Sequence, residues 1–159
     1  MTLSIRRVVT GHTPEGKATV LLDERMEGEL RRPGTTASVI WTSEGFPVEN
    51  NGDEDESTKS VETTHKNGTV FRVLELEPGN GQRMHRTDSL DYAVVISGSI
   101  DMELEPGEPT VHLEAGDLVV QRGTVHNWIN NGTVPCVIAF VLIDATPVTA
   151  NGKELTAFG

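Results

Sequence analysis

The sequence predicts an all-β domain, a small barrel or a two-sheet sandwich. Three observations carry that expectation. Sixteen glycines and eight prolines punctuate a chain of 159 residues. Apolar and polar residues alternate with the period of two that sends successive strand side chains to opposite faces. The apolar runs recur every ~8–12 residues, the spacing of short antiparallel strands. Few stretches repeat at the helical period, and no unit of ~20–50 residues recurs.

The elements follow in order. Ile5–Thr10 and Lys17–Leu22 are β-rich runs around Gly11-His12-Thr13-Pro14-Glu15-Gly16, a hairpin-like turn. Ser38–Thr42 is a short run carrying Trp41. In the segment Asn50–Ser60, the adjacent acids Asp53-Glu54-Asp55-Glu56 disfavour packing, so a mobile, solvated loop is expected. It lacks the spaced ligands and turn glycine of a calcium loop. Thr69–Leu76 ends at Pro78-Gly79-Asn80-Gly81, and Leu90–Ile96 ends at Ser97-Gly98. Ile100, Met102 and Leu104 alternate with Asp101, Glu103 and Glu105, a half-buried strand. Val111 and Leu113, then Leu118–Val120, then Val125–Ile129 supply further short strands. Val137–Ile143 is a continuous apolar run, which suits a strand buried on both faces. The tail after Thr146 is weakly patterned and is expected to wrap the surface or a partner subunit.

The length suits one domain over residues 1–159 with a real core. Within it, 1–65 holds the N-terminal strands and acidic loop, 66–145 the barrel and 146–159 the tail. Thirteen Lys and Arg face twenty-four Asp and Glu, a net charge of −11. That field repels phosphate backbones and anionic lipid, so neither nucleic acid nor membrane is an expected partner. No run reaches the ~18 apolar residues of a membrane span, and the first thirty residues hold no apolar leader region, so a cytoplasmic location is expected. The one cysteine, Cys136, excludes an internal disulfide and a Cys-based zinc cluster.

His85 follows the Gly79–Gly81 turn, Asp91 lies six residues on, and His126 sits beyond Arg122-Gly123-Thr124. Neutral imidazole and carboxylate are ligands of iron, manganese, nickel and zinc, and two histidines with one carboxylate on converging strands can form a facial triad. Trp128 shares parity with His126, which places it against the same cavity or in the barrel core. Arg83 shares parity with His85, which suits a clamp on a substrate carboxylate as well as a surface position. Tyr92 points opposite to Asp91, and His112 alternates with Val111 and Leu113 toward solvent.

At these residues the sequence resembles the cupin superfamily. Gly79, five residues, His85-Arg86-Thr87, three residues, Asp91, six residues and Gly98 keep the register of one cupin signature. Gly116-Asp117, Gln121-Arg122-Gly123, His126 and Asn130 keep that of the second. Three positions depart from the pattern. Thr87 replaces a histidine, Asp91 a glutamate and Gln121 a proline. The stretches from Met84 to Tyr92 and from Gln121 to Thr124 also look like a subgroup of small bacterial and fungal cupins, some near natural-product pathways.

The resemblance implies a double-stranded β-helix barrel, or jelly roll, with an N-terminal strand extension. It implies His85, Asp91 and His126 as ligands of a divalent metal (Fe, Mn, Ni or Zn) and as catalytic residues together with Arg83. Thr87, Trp128 and Gln121 are then expected in the substrate pocket. The activity expected is that of a small-molecule enzyme using Lewis-acid or acid–base chemistry, with dehydration, decarboxylation or isomerisation as outcomes. A non-haem iron dioxygenase, a metal-free cupin and a non-catalytic ligand-binding cupin stay open. Cupins commonly extend a sheet across subunits, so the N-terminal strands imply a homodimer.

Overall fold

Residues that alternate in sequence line up in space as two inward-facing surfaces with a shared core. The computed structural model describes residues 3–159. Its strands are β1 (Ser4–His12), β2 (Ala18–Glu27), β3 (Glu29–Arg32), β4 (Thr35–Glu44), β5 (Gly68–Leu76), β6 (Ser89–Ser97) and β7 (Ser99–Glu103). Next come β8 (Val111–Glu114), β9 (Leu118–Arg122), β10 (Asn127–Ile129), β11 (Cys136–Asp144), β12 (Val148–Ala150) and β13 (Lys153–Leu155). Among the described residues the helical content is one 3-10 turn, Glu56–Thr58.

The larger sheet has six antiparallel strands in the order β3-β4-β5-β11-β6-β9, and the smaller has three in the order β10-β7-β8. Their register fixes the inner face. Val39, Arg72, Phe140, Ala93 and Val119 form one row across the large sheet, and Val70, Leu142, Asp91 and Gln121 form another. Val70, Ala93, Val95, Ile138, Phe140 and Leu142 pack from this sheet against Ile100, Leu113 and Trp128 from the smaller one. This is the jelly-roll form of an all-β fold. Gly98 makes the β6–β7 corner with φ of 73°, where a Cβ would lie 2.5 Å from the Pro135 carbonyl oxygen. Any side chain there would collide with backbone as well as strain φ.

β1 and β2 form a separate hairpin. Leu3, Ile5 and Met26 pack over Ile40, Val73, Val137 and Ala139 on the outer face of the large sheet. β11 is therefore covered on both sides, which is why its sequence is apolar without interruption. Beyond the hairpin the outer face stays open, with Tyr92, Val94 and Ile96 on β6 and Leu118 and Val120 on β9 exposed.

Several local expectations are corrected. The acidic segment is anchored, not merely solvated. Asp55 caps the 3-10 turn and pairs with the buried Arg7 at 2.7 Å, and Thr42 Oγ1 donates to the Glu56 carbonyl at 2.7 Å. Arg7 also pairs with Glu24, so three segments meet at one guanidinium. The strand β3 carries no alternating pattern that would announce it. The tail forms the β12–β13 hairpin, and Phe158 exchanges backbone hydrogen bonds with Arg86 at 3.0 Å.

Candidate functional site

The inner face of the large sheet is apolar except for a few positions, and those positions converge. One cavity of about 250 Å³ is lined by His85, His126, Asp91, Thr87 and Trp128, all expected from the sequence, and by Arg83 at its rim. Val39, Leu74, Phe140 and Leu142 supply apolar wall. Its size is near the lower end of small-molecule sites, which run to ~300–1,000 Å³.

His85 and His126 flank the cavity because their backbones pair as an isolated antiparallel bridge, each N–H donating to the other's carbonyl at 3.0 Å. The ring centroids stand 4.1 Å apart. His85 Nδ1 lies 2.9 Å from the Arg83 carbonyl and His126 Nδ1 lies 2.9 Å from the Thr124 carbonyl. A carbonyl oxygen only accepts, so each Nδ1 carries the proton and each Nε2 keeps its lone pair. Burial lowers the pKa of both rings, that of His126 to about 4 with a further push from His85, so both are neutral at physiological pH. Trp128 meets His126 edge-on at 5.9 Å and Phe140 at 5.6 Å, so it is wall and core at once.

Asp91 is 4% exposed on β6, between Leu142 and Gln121. Burial raises its pKa to about 6, against the opposing pulls of the Ser89 hydroxyl and the Arg72 charge. Ser89 Oγ donates to Asp91 Oδ1 at 2.5 Å and stands 2.8 Å from Thr87 Oγ1.

The donor set does not complete the metal triad expected for His85, Asp91 and His126. Among the described residues, no group of three or more His, Cys, Asp or Glu side chains stands close enough to hold one ion. The two imidazoles offer lone pairs side by side. The Asp91 carboxyl lines the same cavity but is held by Ser89 on β6, and Thr87 stands where the cupin pattern has a further histidine. The residues thus fit two protein ligands and no third among those described.

Gln121 is also corrected. It faces Asp91 across the β6–β9 pairing, buried behind it and not among the cavity-lining residues, with neither amide atom hydrogen-bonded. Asn130, part of the second signature, is a brace: its Nδ2 donates to the Leu76 and Val134 carbonyls at 2.8 Å, and its N–H donates to Asn80 Oδ1 at 2.7 Å. Asn80 Nδ2 in turn donates to the Trp128 carbonyl at 2.8 Å, which ties the Gly79–Gly81 turn to the histidine strand.

Three arginines of the cavity were missed by sequence reasoning: Arg31, Arg32 and Arg72. Arg72 was legible from parity, since Val70, Arg72, Leu74 and Leu76 alternate onto one face. Arg31 and Arg32 arrive on the β3–β4 hairpin, whose Gly34 packs against Asn80 where a Cβ would lie 2.9 Å from the Asn80 Cα.

A cupin domain model matches residues 62–143, just over half the chain. The chain is 38% identical to a cupin-domain-containing oxidoreductase of Aspergillus ruber, fogC, over 96% of this chain and 78% of that protein. It is 32% identical to oryzines biosynthesis cluster protein J of Aspergillus oryzae, over 95% of this chain and 89% of that one. Among solved structures it resembles the polyketide cyclase RemF of Streptomyces resistomycificus, with a TM-score of 0.51, 19% identity and coverage of 76% of this chain and 75% of that chain. That last likeness speaks for the fold alone. With both signatures in register on one jelly roll, the chain belongs to the cupin family.

Proposed function

We propose that the chain is a small-molecule enzyme of natural-product biosynthesis that moves a proton at a carbon beside a carbonyl, with Asp91 as its acid–base residue. The single observation carrying this reading is a buried carboxyl with a pKa of about 6 in the same cavity as two neutral imidazoles. A proton carrier works best when its pKa lies near the working pH. In the step supported by this arrangement, a C–H bond of the substrate breaks and the proton passes to the Asp91 carboxylate. The electron pair moves onto the carbonyl oxygen, whose negative charge the positive side of the cavity stabilises. Asp91 then returns the proton to a different carbon, giving isomerisation, or to a departing hydroxyl, giving dehydration and water. The Nε2 lone pairs of His85 and His126 accept hydrogen bonds from substrate hydroxyls and orient them. Relatives from biosynthesis clusters support the metabolic setting.

The names of several relatives favour a second reading, an oxidoreductase using the same cavity. One experiment separates the two. Deleting the gene in the producing strain accumulates the substrate, and purified protein is then incubated with it and the product weighed by mass spectrometry. Unchanged mass or loss of one water supports proton transfer. A gain of oxygen or a loss of two hydrogens sinks it and selects the oxidoreductase.

A further inference from the structure

The chain carries a net charge of −11, yet its cavity gathers four arginines against two carboxylate residues, Asp91 and Glu62. Arg31 has a carboxylate partner, Glu29 at 3.5 Å. Among the described residues, no ion pair joins Arg32 or Arg72 to any carboxylate. Arg72 is held in place from behind, its Nη2 donating to the backbone carbonyls of Glu62 at 2.6 Å and Thr63 at 2.9 Å. The Nε atoms of Arg72 and Arg32 are buried and have no hydrogen-bond partner. Arg83 Nη2 donates to a backbone oxygen, that of Gly159, at 2.6 Å. Burial, with repulsion from Arg31 and Arg83 and against the attraction of Asp91, lowers the Arg72 pKa to about 10, and burial with repulsion from Arg83 lowers that of Arg32. Guanidiniums remain charged under such conditions, so the four arginines of the cavity outnumber its two carboxylates.

We propose that Arg72, Arg32 and Arg83 form an anion subsite that seats a carboxylate of the substrate, while its flat apolar body lies against Trp128 and Phe140. The planar fork of a guanidinium matches a carboxylate edge, and an apolar wall strengthens that pairing by excluding water. The Gly159 oxygen on Arg83 Nη2 shows that this donor takes an oxygen acceptor at the rim. The inference rests on reading the cavity as the substrate site, and it deepens that reading by adding the class of acid bound.

Benzoate is the test probe, with benzamide as its uncharged counterpart and phenyl phosphate as the alternative anion. Binding is followed by calorimetry and by tryptophan fluorescence in wild type, Arg72→Gln, Arg83→Gln and Asp91→Asn. The expected result is saturable benzoate binding, at least about tenfold tighter than benzamide, since a charged hydrogen bond contributes about that factor or more. Each arginine variant weakens benzoate about tenfold and leaves benzamide unchanged. Arg83→Gln lies at the half-exposed rim, so it reports even where Arg72→Gln fails to fold. Asp91→Asn keeps benzoate binding or tightens it. Equal binding of benzoate and benzamide, no saturable benzoate binding, or indifference to Arg83→Gln overturns the subsite. Tighter binding of phenyl phosphate than of benzoate overturns the carboxylate. Failure of the acid–base reading is separate: it would appear as an active Asp91→Asn enzyme with benzoate binding intact.

Discussion

His85 and His126 exchange both backbone hydrogen bonds at 3.0 Å and hold their rings 4.1 Å apart, with the two Nδ1 protons tied to the carbonyls of Arg83 and Thr124. Residues in separate signatures are thereby fixed as one unit, with two Nε2 lone pairs and no carboxylate between them. His126→Ala removes one of those acceptors and the edge contact to Trp128. Activity should fall by about tenfold, the worth of one substrate hydrogen bond. Kinetic comparison at equal folded fraction, checked by circular dichroism, measures this, and a loss under twofold would remove His126 from the chemistry.

Added metals provide a second test. The geometry predicts that Mn, Fe, Ni and Zn bind only through the histidine pair. His126→Ala should then weaken binding sharply while Asp91→Asn changes it little, because Asp91 belongs to no three-residue donor group. Thr87→His adds a third imidazole to the cavity wall and should tighten binding. Calorimetric titration decides the order, and a severe loss in Asp91→Asn would restore the triad.

Asp91 links activity and stability through pH. Its folded pKa of about 6 lies above the ~3.9 of an unfolded aspartate. Between those values the folded state binds more protons than the unfolded one, so this residue makes stability fall as pH rises from about 4 to about 6. The full cost, on the order of 2–3 kcal/mol, is present above that window. Asp91→Asn should therefore raise Tm at pH 7.5, have little effect near pH 4, and abolish proton transfer. Thermal melts across pH, set beside rates, read both effects. Wild-type activity should climb with pH through about 6 as the carboxylate ionises.

Ser89 holds that carboxylate in its charged form. Ser89→Ala should move the acid limb of the pH–rate profile upward and leave the rate plateau closer to wild type than Asp91→Asn does. An unmoved limb would mean that the hydroxyl does not act on Asp91.

Arg7 joins β1, β2 and the acidic segment through Glu24 and Asp55. Asp55→Ala leaves a buried guanidinium with one carboxylate partner and should cost about 2 kcal/mol, less than the ~3–5 of a fully orphaned buried charge. Pairing with Arg7 holds the Asp55 carboxyl well below the usual carboxylate range. Its contribution is therefore complete above about pH 4 and is lost as pH falls toward the folded value. Urea unfolding of wild type and Asp55→Ala at pH 7 and pH 3 should show the difference shrinking in acid.

Much of the fold was legible because alternation is a local property. Ile100 and Met102 against Asp101 and Glu103 already separate the two faces of β7, and the unbroken run Val137–Ile143 marks a strand covered on both sides. The convergence of His85, Asp91 and His126 on one cavity was legible because the two signatures encode which strand ends meet. By contrast, β3 has no periodicity, and the acids near Asp55 look solvated until Arg7, 48 residues away, supplies the counter-charge.

The sequence by itself determined the β class, the inward parity of Arg72 and Asp91, and the pairing of the two histidine motifs, because each follows from the two-residue repeat of a strand or from fixed local spacing. Only the tertiary structure decided how the cavity is charged. Arg32 reaches it because the β3–β4 hairpin pairs beside β5, and Arg83 because the segment before β6 bridges at His85 to His126. Gln121 falls behind Asp91, and Asp91 turns to Ser89 instead of joining the imidazoles. Such outcomes depend on distances between side chains from strands far apart in sequence, and on how much water their packing removes. Neither quantity is written in the order of residues along one strand.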